Sequence, residues 1–570
     1  MLRSRRWLDR KDYWGSEYRA YLHAAGFGSQ MFKGRPIIGI AQSWSEFNSC
    51  HLNLRGVAEA VKRSVLMAGG WPLEFPTISI SESLYRPSPM MLRNLMAMDV
   101  EECIRGLPMD GVVLLAGCDK NTPAYLMGAA SVGLPTALVS AGPMQEGRWH
   151  GRSVAVGTDF YRVEADHRAG LLTDAQVAAI ESRIAPTCGT CAVMGTASTM
   201  ALLGEAMGIS LPGDAAIPAN DSMRLMHAED SGRAIVEMVK RGIGIRQILT
   251  PAAFANALRV LLATGGSTNA VIHLIALAGR VGLSLTLDDV DQLSRSTPVI
   301  VSLKPNGEHG TADLFEAGGG PAILKELAPL LDLQAHTISG ESLGTILART
   351  EQSWNREVIR TLDSPVQPEG GIAVLRGSLA PDGALIKQSA ASQGLLQHRG
   401  RAVVFSGYAD LLARIDDNSL DVNADSVLIL QGGGPIGAPG MPEWGQLPLP
   451  KKLLRLGVRD MVRISDARMS GTQFGTVVLH VAPEAAIGGP LALVQDGDEI
   501  LLDVEGRRLE ICVSGEELSR RRENWRPPAL AYTRGYGKLY LDHVQQADKG
   551  CDFDFLVGYT QEDDATISDW

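Results

Sequence analysis

Three cysteines, three carboxylates and one serine carry most of the chemistry that this 570-residue sequence could perform. Cys50, Cys118 and Cys191 each lie in a loop that runs into an expected helix. Unpaired N–H groups and the helix dipole favour a thiolate at such places. Their separations, 68 and 73 residues, are far too wide for a zinc finger or a ferredoxin cysteine run. Loops gathered on one edge of a sheet could still bring the three together. Three thiolates so placed suit an iron–sulfur cluster with one open iron, or a catalytic zinc; unrelated buried cysteines are the alternative. Cys188 makes a C-x-x-C pair with Cys191, which also fits thioredoxin-like redox chemistry, and Cys103, Cys512 and Cys551 sit among apolar neighbours. Glu82, Asp119 and Glu443 are loop carboxylates, an oxygen set suited to Mg²⁺ or to plain solvation.

Ser470 lies in Asp466-Ala467-Arg468-Met469-Ser470-Gly471-Thr472, just after an expected strand. No histidine stands near it to act as a triad base, which argues against ordinary serine-hydrolase chemistry. A serine beside a cationic metal centre could instead ionise and serve as a base; otherwise it is a turn residue. Residues 432–437 satisfy G-x-G-x-x-G, yet Pro435, Pro439, Gly440 and Pro442 forbid the helix that a dinucleotide site needs. Those glycines are expected to let backbone approach a ligand and to deliver Glu443.

The elements that must position these residues read as repeated strand–loop–helix units. Expected strands are 36–41, 76–80 and 111–115, with helices over 54–68, from Ser88-Pro89 to about Arg105, and over 124–132. Thr122 is the expected N-cap of the last helix, Pro123 its first residue and Gly133 its stop. A fourth unit has Cys191 ahead of a helix over 192–207, and Thr250-Pro251 opens a later helix that Gly265-Gly266 ends. Such alternation predicts a parallel sheet with helices on its faces, and ligands collect at the carboxyl ends of its strands. Near 364–371 the texture becomes linker-like. Beyond it, short Val- and Leu-rich runs at 372–375, 402–405, 427–430, 462–464, 477–481, 491–494 and 500–504 predict a β-rich, barrel-like second domain. The division expected is 1–365 and 366–570, with an acidic, loose end over 561–569.

Composition narrows the partners. With 53 basic and 64 acidic residues the formal charge is −11, which gives no electrostatic case for nucleic acid or an anionic membrane. No apolar run reaches membrane-spanning length, and no apolar segment follows the amino-terminal arginines as in a secretory signal. Seven cysteines in such a chain suggest a reducing compartment, so a cytoplasmic location is expected.

Taken together, these segments resemble the dihydroxy-acid / 6-phosphogluconate dehydratase family, and its sugar-acid branch most closely. Cys118 to Ala124 is similar to the family's first signature and Ser465 to Thr472 to its second. Cys191 to Met200, Ala263 to Ala270 and Gly440 to Glu443 are further stretches of likeness. The resemblance implies a hydro-lyase that converts a 2,3-dihydroxy sugar acid, such as a pentonate, to its 2-keto-3-deoxy acid. It implies Cys50, Cys118 and Cys191 as ligands of a [2Fe–2S] cluster, or a [4Fe–4S] one, with Cys188 outside the set. It implies Mg²⁺ on Glu82, Asp119, Glu443 and Lys120, the lysine only once carbamylated, with Ser470 as base and Thr472 at the substrate. An α/β amino-terminal domain, a swivelling β-barrel-like carboxyl-terminal domain and a homodimer or homotetramer are the implied architecture. Ser465, where branched-chain dehydratases usually have Thr, favours the sugar-acid branch; Ser406, where many members have Glu, departs from the pattern. The branched-chain dehydratase, or a non-catalytic iron–sulfur redox protein, are the competing expectations.

Overall fold

The computed structural model describes residues 2–559, and the expected loose end over 561–569 lies outside them. Four strands, β1 (Ile37–Gln42), β2 (Trp71–Pro76), β3 (Gly111–Ala116) and β4 (Thr136–Ser140), form a parallel sheet in the order β2-β1-β3-β4. Ile37 pairs with Trp71, Ile38 with Gly111 and Val112 with Thr136. Every residue of β1 and β3 is buried, as the continuous apolar runs require when helices cover both faces. Helix Leu54–Met67 packs on Ser222–Arg241, and Arg93–Gly106 packs on Asn121–Val132. The second pair approaches closely because residue 128 is Gly: a Cβ there would stand 2.6 Å from the Ala97 carbonyl oxygen. A small hairpin, β5 (Gly147–Trp149) with β6 (Arg152–Val154), lies outside the sheet.

The second unit is a closed barrel of eight strands. These are β7 (Ala373–Gly377), β8 (Ala380–Ile386), β9 (Gln397–Phe405), β10 (Val427–Leu430), β11 (Arg463–Ser465), β12 (Val477–Ala482), β13 (Glu499–Asp503) and β14 (Arg508–Ile511). They close in the order β10-β11-β12-β8-β7-β14-β13-β9, and the run β9 to β12 is parallel. Period-two alternation fills the barrel and docks it at once. Ala373, Leu375, Ala384 and Ile386 belong to the barrel core, whereas Val374 and Leu385 join the core of the α/β unit. The parallel sheet with its helices and the barrel therefore both match the expectation from sequence.

Several boundaries differ for physical reasons. The strand expected at 76–80 lies at Trp71–Pro76, on the sheet edge, where Pro72 and Pro76 leave no central ladder bond unmade. The helix expected from Ala192 starts at Thr196, because the Ser198 hydroxyl holds the Val193 carbonyl at 3.0 Å and keeps the preceding turn open. Helix Asn121–Val132 begins before the expected Thr122 cap, with Lys120 at the N-cap and no side-chain cap, and it stops at Gly133 as expected. The run at 491–494 is a 3₁₀ turn, Pro490–Leu493, not a strand. Strands β8 and β14 had no clear apolar signature; Pro381-Asp382-Gly383 interrupts the first. Among the described residues no helix is long and apolar enough to cross a membrane.

After the barrel the chain returns to the first unit. The buried Arg280 grips Asp552 through two bonds, Nε to Oδ2 at 2.6 Å and Nη2 to Oδ1 at 3.0 Å, and also donates to Glu101 at 3.0 Å. Removing one partner of a buried pair leaves an uncompensated charge. Asp552→Ala should therefore destabilise the protein by about 3–5 kcal/mol, read as a lowered urea midpoint; a loss near zero would contradict this view of the return segment.

Candidate functional site

Each candidate residue lies beyond the carboxyl end of a parallel strand, where strand dipoles and loop freedom make room for ligands. Cys50 sits in the turn Ser49–His51 after β1, Glu82 in the loop after β2, and Cys118-Asp119-Lys120 directly after β3. Adjacent strands thus deliver adjacent loops. Thr190 forms a parallel bridge with Pro143, just past β4, and so carries Cys191 to the same edge. From the barrel, Glu443 follows β10, and Ser470 with Thr472 follows β11. Cys50, Cys118, Cys191, Glu82, Asp119, Glu443, Ser470 and Thr472 all line one cavity of about 1360 Å³ between the two units. Lys120 is buried just behind it, and Cys188 is not among the lining residues.

The three thiols are mutual neighbours. The Cys50 thiol is held well above its ordinary range by a hydrogen bond with Cys118, then by burial, and further by Cys118, Cys191 and Asp119 as negative neighbours. Burial, then Asp119 and Cys118, raises Cys191. Cys50 and Cys191 thus favour the protonated form, and a cation among the thiols would reverse that preference. Cys188, three residues before Cys191, does not line the cavity; Cys551 is buried 3.9 Å from the Met441 sulfur, Cys103 is half-buried, and Cys512 is exposed.

His51 fixes this arrangement; the sequence places it in the polar loop beside Cys50 but gives it no role. Its Nε2 accepts from the N–H groups of Gly117 at 3.1 Å and Cys118 at 2.9 Å, so Nε2 carries no proton. Its Nδ1 then donates to the Ser43 carbonyl at 2.9 Å. Burial keeps the ring neutral, with its pKa lowered to about 4.

Oxygen atoms of Glu82, Asp119 and Glu443 lie within 4.8 Å of one another. Burial, then the charge of Glu82, pushes Glu443 up to about 7. Burial likewise raises Asp119, against the opposing pull of Lys120. Lys120 Nζ stands 3.0 Å from Glu82 Oε2 and 3.8 Å from Asp119 Oδ2, yet both Nζ and Oε2 are buried without an aligned hydrogen bond. An orphaned buried oxygen facing two more carboxylates fits a hard cation. Arg468 and Asn269 hold Glu443 Oε1 at 3.0 and 3.1 Å, roles that their positions in the quoted motifs did not reveal.

The Ser470 and Thr472 hydroxyls are 3.0 Å apart, and the Ser470 N–H donates to Gln473 Oε1 at 3.1 Å. Gln473 also bonds Tyr161, whose hydroxyl proton is held more tightly by burial and by Glu443. Nothing in the sequence pointed to Tyr161. The glycine loop forms no helix, and its amides are already taken: Gly433 donates to Asp466 at 2.7 Å, and Ile436 and Gly437 donate to Glu484 at 3.0 and 2.8 Å. It shapes the approach to Glu443 through these internal bonds.

Residues 35–346 match the family model described as dihydroxy-acid/6-phosphogluconate dehydratase N-terminal, and residues 357–551 match its C-terminal counterpart. The chain belongs to the dihydroxy-acid/6-phosphogluconate dehydratase family. Among relatives in this dehydratase family it is 51% identical to the L-arabonate dehydratase of Azospirillum brasilense, over 98% of this chain and 97% of that one. It is 49% identical to the L-arabinonate dehydratase of Rhizobium leguminosarum bv. trifolii, over 98% and 96%. It is 46% identical to the 6-deoxy-6-sulfo-D-gluconate dehydratase of Pseudomonas putida, over 97% and 96%.

Proposed function

We propose that this dehydratase removes water from a 2,3-dihydroxy sugar acid, a pentonate such as arabinonate or xylonate, and yields the 2-keto-3-deoxy acid. The observation that carries the reading is the meeting, on one cavity, of a three-thiol group, a three-carboxylate group and Ser470. The names of its relatives, arabonate and arabinonate dehydratases, support the choice of substrate class.

In this reading Cys50, Cys118 and Cys191 would hold a [2Fe–2S] or [4Fe–4S] cluster, and Glu82, Asp119, Glu443 and a carbamylated Lys120 would hold Mg²⁺. When bound, these groups supply Lewis acidity toward the C3 hydroxyl and toward the carboxylate and C2 oxygen of the substrate. The protein's own residues do the rest. Ser470, as the alkoxide, takes the C2 proton, and Thr472 at 3.0 Å can hold either serine oxygen state or a substrate hydroxyl. The C2–H pair becomes the C2–C3 double bond as the C3 oxygen departs, and the proton and hydroxide leave together as one water. The enol then ketonises. Arg468 keeps Glu443 aimed into the cavity while the site fills and empties. The same reading divides the chain at 365/366 and assigns it to a cytoplasmic homodimer or homotetramer.

The direct test is a panel of aldonates and 2,3-dihydroxyisovalerate, assayed for 2-keto acid with purified holoenzyme. Pentonates should lead; turnover confined to dihydroxyisovalerate would overturn the sugar-acid assignment.

For the cofactors, anaerobically purified protein should be brown. Cys50→Ser, Cys118→Ser and Cys191→Ser should each bleach it, and Cys188→Ser should leave it coloured. EDTA should stop turnover while colour survives, and Mg²⁺ should restore it. A colourless, active wild type or one indifferent to chelation would remove the corresponding ligand assignment.

Ser470→Ala deletes one oxygen. It should fold, hold its colour and bind substrate, while turnover falls at least about 10²-fold, the lower range for a positioned base. A near-normal rate would pass the base role to another group.

A further inference from the structure

Lys387 stands immediately after β8, and it is among the largest fully buried side chains of the protein, 1% exposed. Its ammonium donates to the Gly471 carbonyl oxygen at 3.0 Å, and among the described residues it has no carboxylate partner. Burial alone lowers its pKa to about 7, with no neighbouring charge to offset the effect. A buried cation without a counter-ion is costly enough to ask what it faces.

It faces the turn that carries Ser470. The Gly471 carbonyl and the Thr472 N–H belong to one planar peptide unit. That N–H donates to Ser470 Oγ at 3.4 Å. One continuous line of donors therefore runs from Lys387 Nζ, through the 471–472 peptide, to the serine oxygen. The peptide cannot easily turn away. A Cβ at Gly471 would lie 2.6 Å from the Ser267 Cβ and 2.9 Å from the Thr196 nitrogen, and Thr158 donates to the Thr472 carbonyl at 2.7 Å. An ammonium on the carbonyl side polarises the peptide and makes its N–H a stronger donor on the other side. Donation of that kind favours the ionised form of the acceptor.

We propose that Lys387 is a positioning residue for the dehydration, acting through the Gly471–Thr472 peptide to stabilise Ser470 Oγ as an alkoxide. The inference rests on the proposed dehydratase reading and on Ser470 as its base. It gives Ser470 a protein-built source of stabilisation, in addition to whatever occupies the cavity.

The test uses holoenzyme carrying Lys387→Met, which removes charge and donor, and Lys387→Gln, which keeps a donor without charge. The other charged and titratable groups around the cavity are the same in every variant: Glu82, Asp119, Glu443, Lys120 and Arg468 near the serine, Cys50, Cys118, Cys191 and Tyr161 beside them, and Arg86, Arg162, Glu164, Asp166, Arg168, Glu181, Arg459 and Arg463 along the wall. Visible absorption, melting temperature and calorimetric affinity for the 2-keto-3-deoxy product should stay at wild-type values. The kcat of Lys387→Met should fall about 10-fold or more with KM within about twofold, and the acid limb of its pH profile should move up by about one unit. Lys387→Gln should show the same direction of change, and it carries the test if the methionine variant does not fold. In a Ser470→Ala background Lys387→Met should cost no further rate, because both substitutions remove one function. Normal kcat with an unmoved acid limb in a folded variant, or full additivity with Ser470→Ala, would overturn the proposal. A wild-type holoenzyme that dehydrates no aldonate removes the dehydratase reading and this inference with it, whereas an active wild type with silent Lys387 variants removes only the inference.

Discussion

Negative charge that cannot all exist at once is the constraint on which the site depends. Glu82, Asp119 and Glu443 crowd into a space less than 5 Å across, beside Cys50 and Cys191, whose ionisation the neighbouring Cys118 and Asp119 discourage. Two unit charges 4 Å apart interact by about 4 kcal/mol at an effective dielectric of 20. That is a large fraction of the roughly 5–15 kcal/mol that holds a folded domain. The protein answers with Arg468 and Lys120, both buried, and with raised pKa values at Glu443, Asp119, Cys50 and Cys191. The strain is local, and a cation in the cavity would relieve it. Much of the surrounding fold serves to keep these groups from moving apart.

Two features supply that rigidity. The α/β sheet delivers Cys50, Glu82 and Cys118 from neighbouring strands, so their spacing follows from inter-strand distance and register. The barrel delivers Glu443 and Ser470 from its own adjacent parallel strands, β10 and β11. The two frames are then locked by contacts that cross between them. Val374 and Leu385 pack outward from the barrel into the first core, Arg468 reaches the Ser88 hydroxyl at 3.4 Å, and Asp552 closes on Arg280. Asn269 touches Thr196, Glu443 and the Met469 carbonyl with a single amide, joining three segments more than 170 residues apart at its extremes.

How much of this the sequence could disclose depends on the range of the interactions involved. Apolar runs buried on both faces announce themselves, so β1 and β3 were legible, as was the Thr250 cap, which accepts from the Ala253 N–H. Edge strands and bulged strands do not. β2 begins among prolines and β8 bends at Gly383, so local pattern misplaced the first and missed the second, as it missed β4, β14 and the β5–β6 hairpin. The candidate site residues were named from loop position and family likeness, and the structure brings all of them but Lys120, which is buried just behind, to line one cavity. The groups that orient them were hidden. His51, Asn269, Tyr161 and Lys387 act through contacts 66 to 312 residues away in sequence, or through a backbone peptide, and no local pattern encodes such meetings.

Cys118 and Asp119 explain why the soft and the hard groups sit together. They are consecutive, so their Cα atoms are fixed about 3.8 Å apart by the chain itself. Cys118 turns to Cys50, while Asp119 turns to Glu82 and Glu443. One loop thus sets the distance between a thiol group and a carboxylate group, and no domain movement can change it without breaking β3 from its helix. Under the proposed reading, this matters because the two oxygens to be polarised sit on adjacent carbons of the substrate. A pair of binding groups tied by adjacent residues suits a pair of oxygens tied by adjacent carbons. In that reading the base, Ser470, comes from the barrel, on a turn whose Gly471 carbonyl accepts from Lys387. Under that reading the carboxylates come from both units, Glu82 and Asp119 from the sheet and Glu443 from the barrel, and Ser470 would meet the C2 proton from the barrel side.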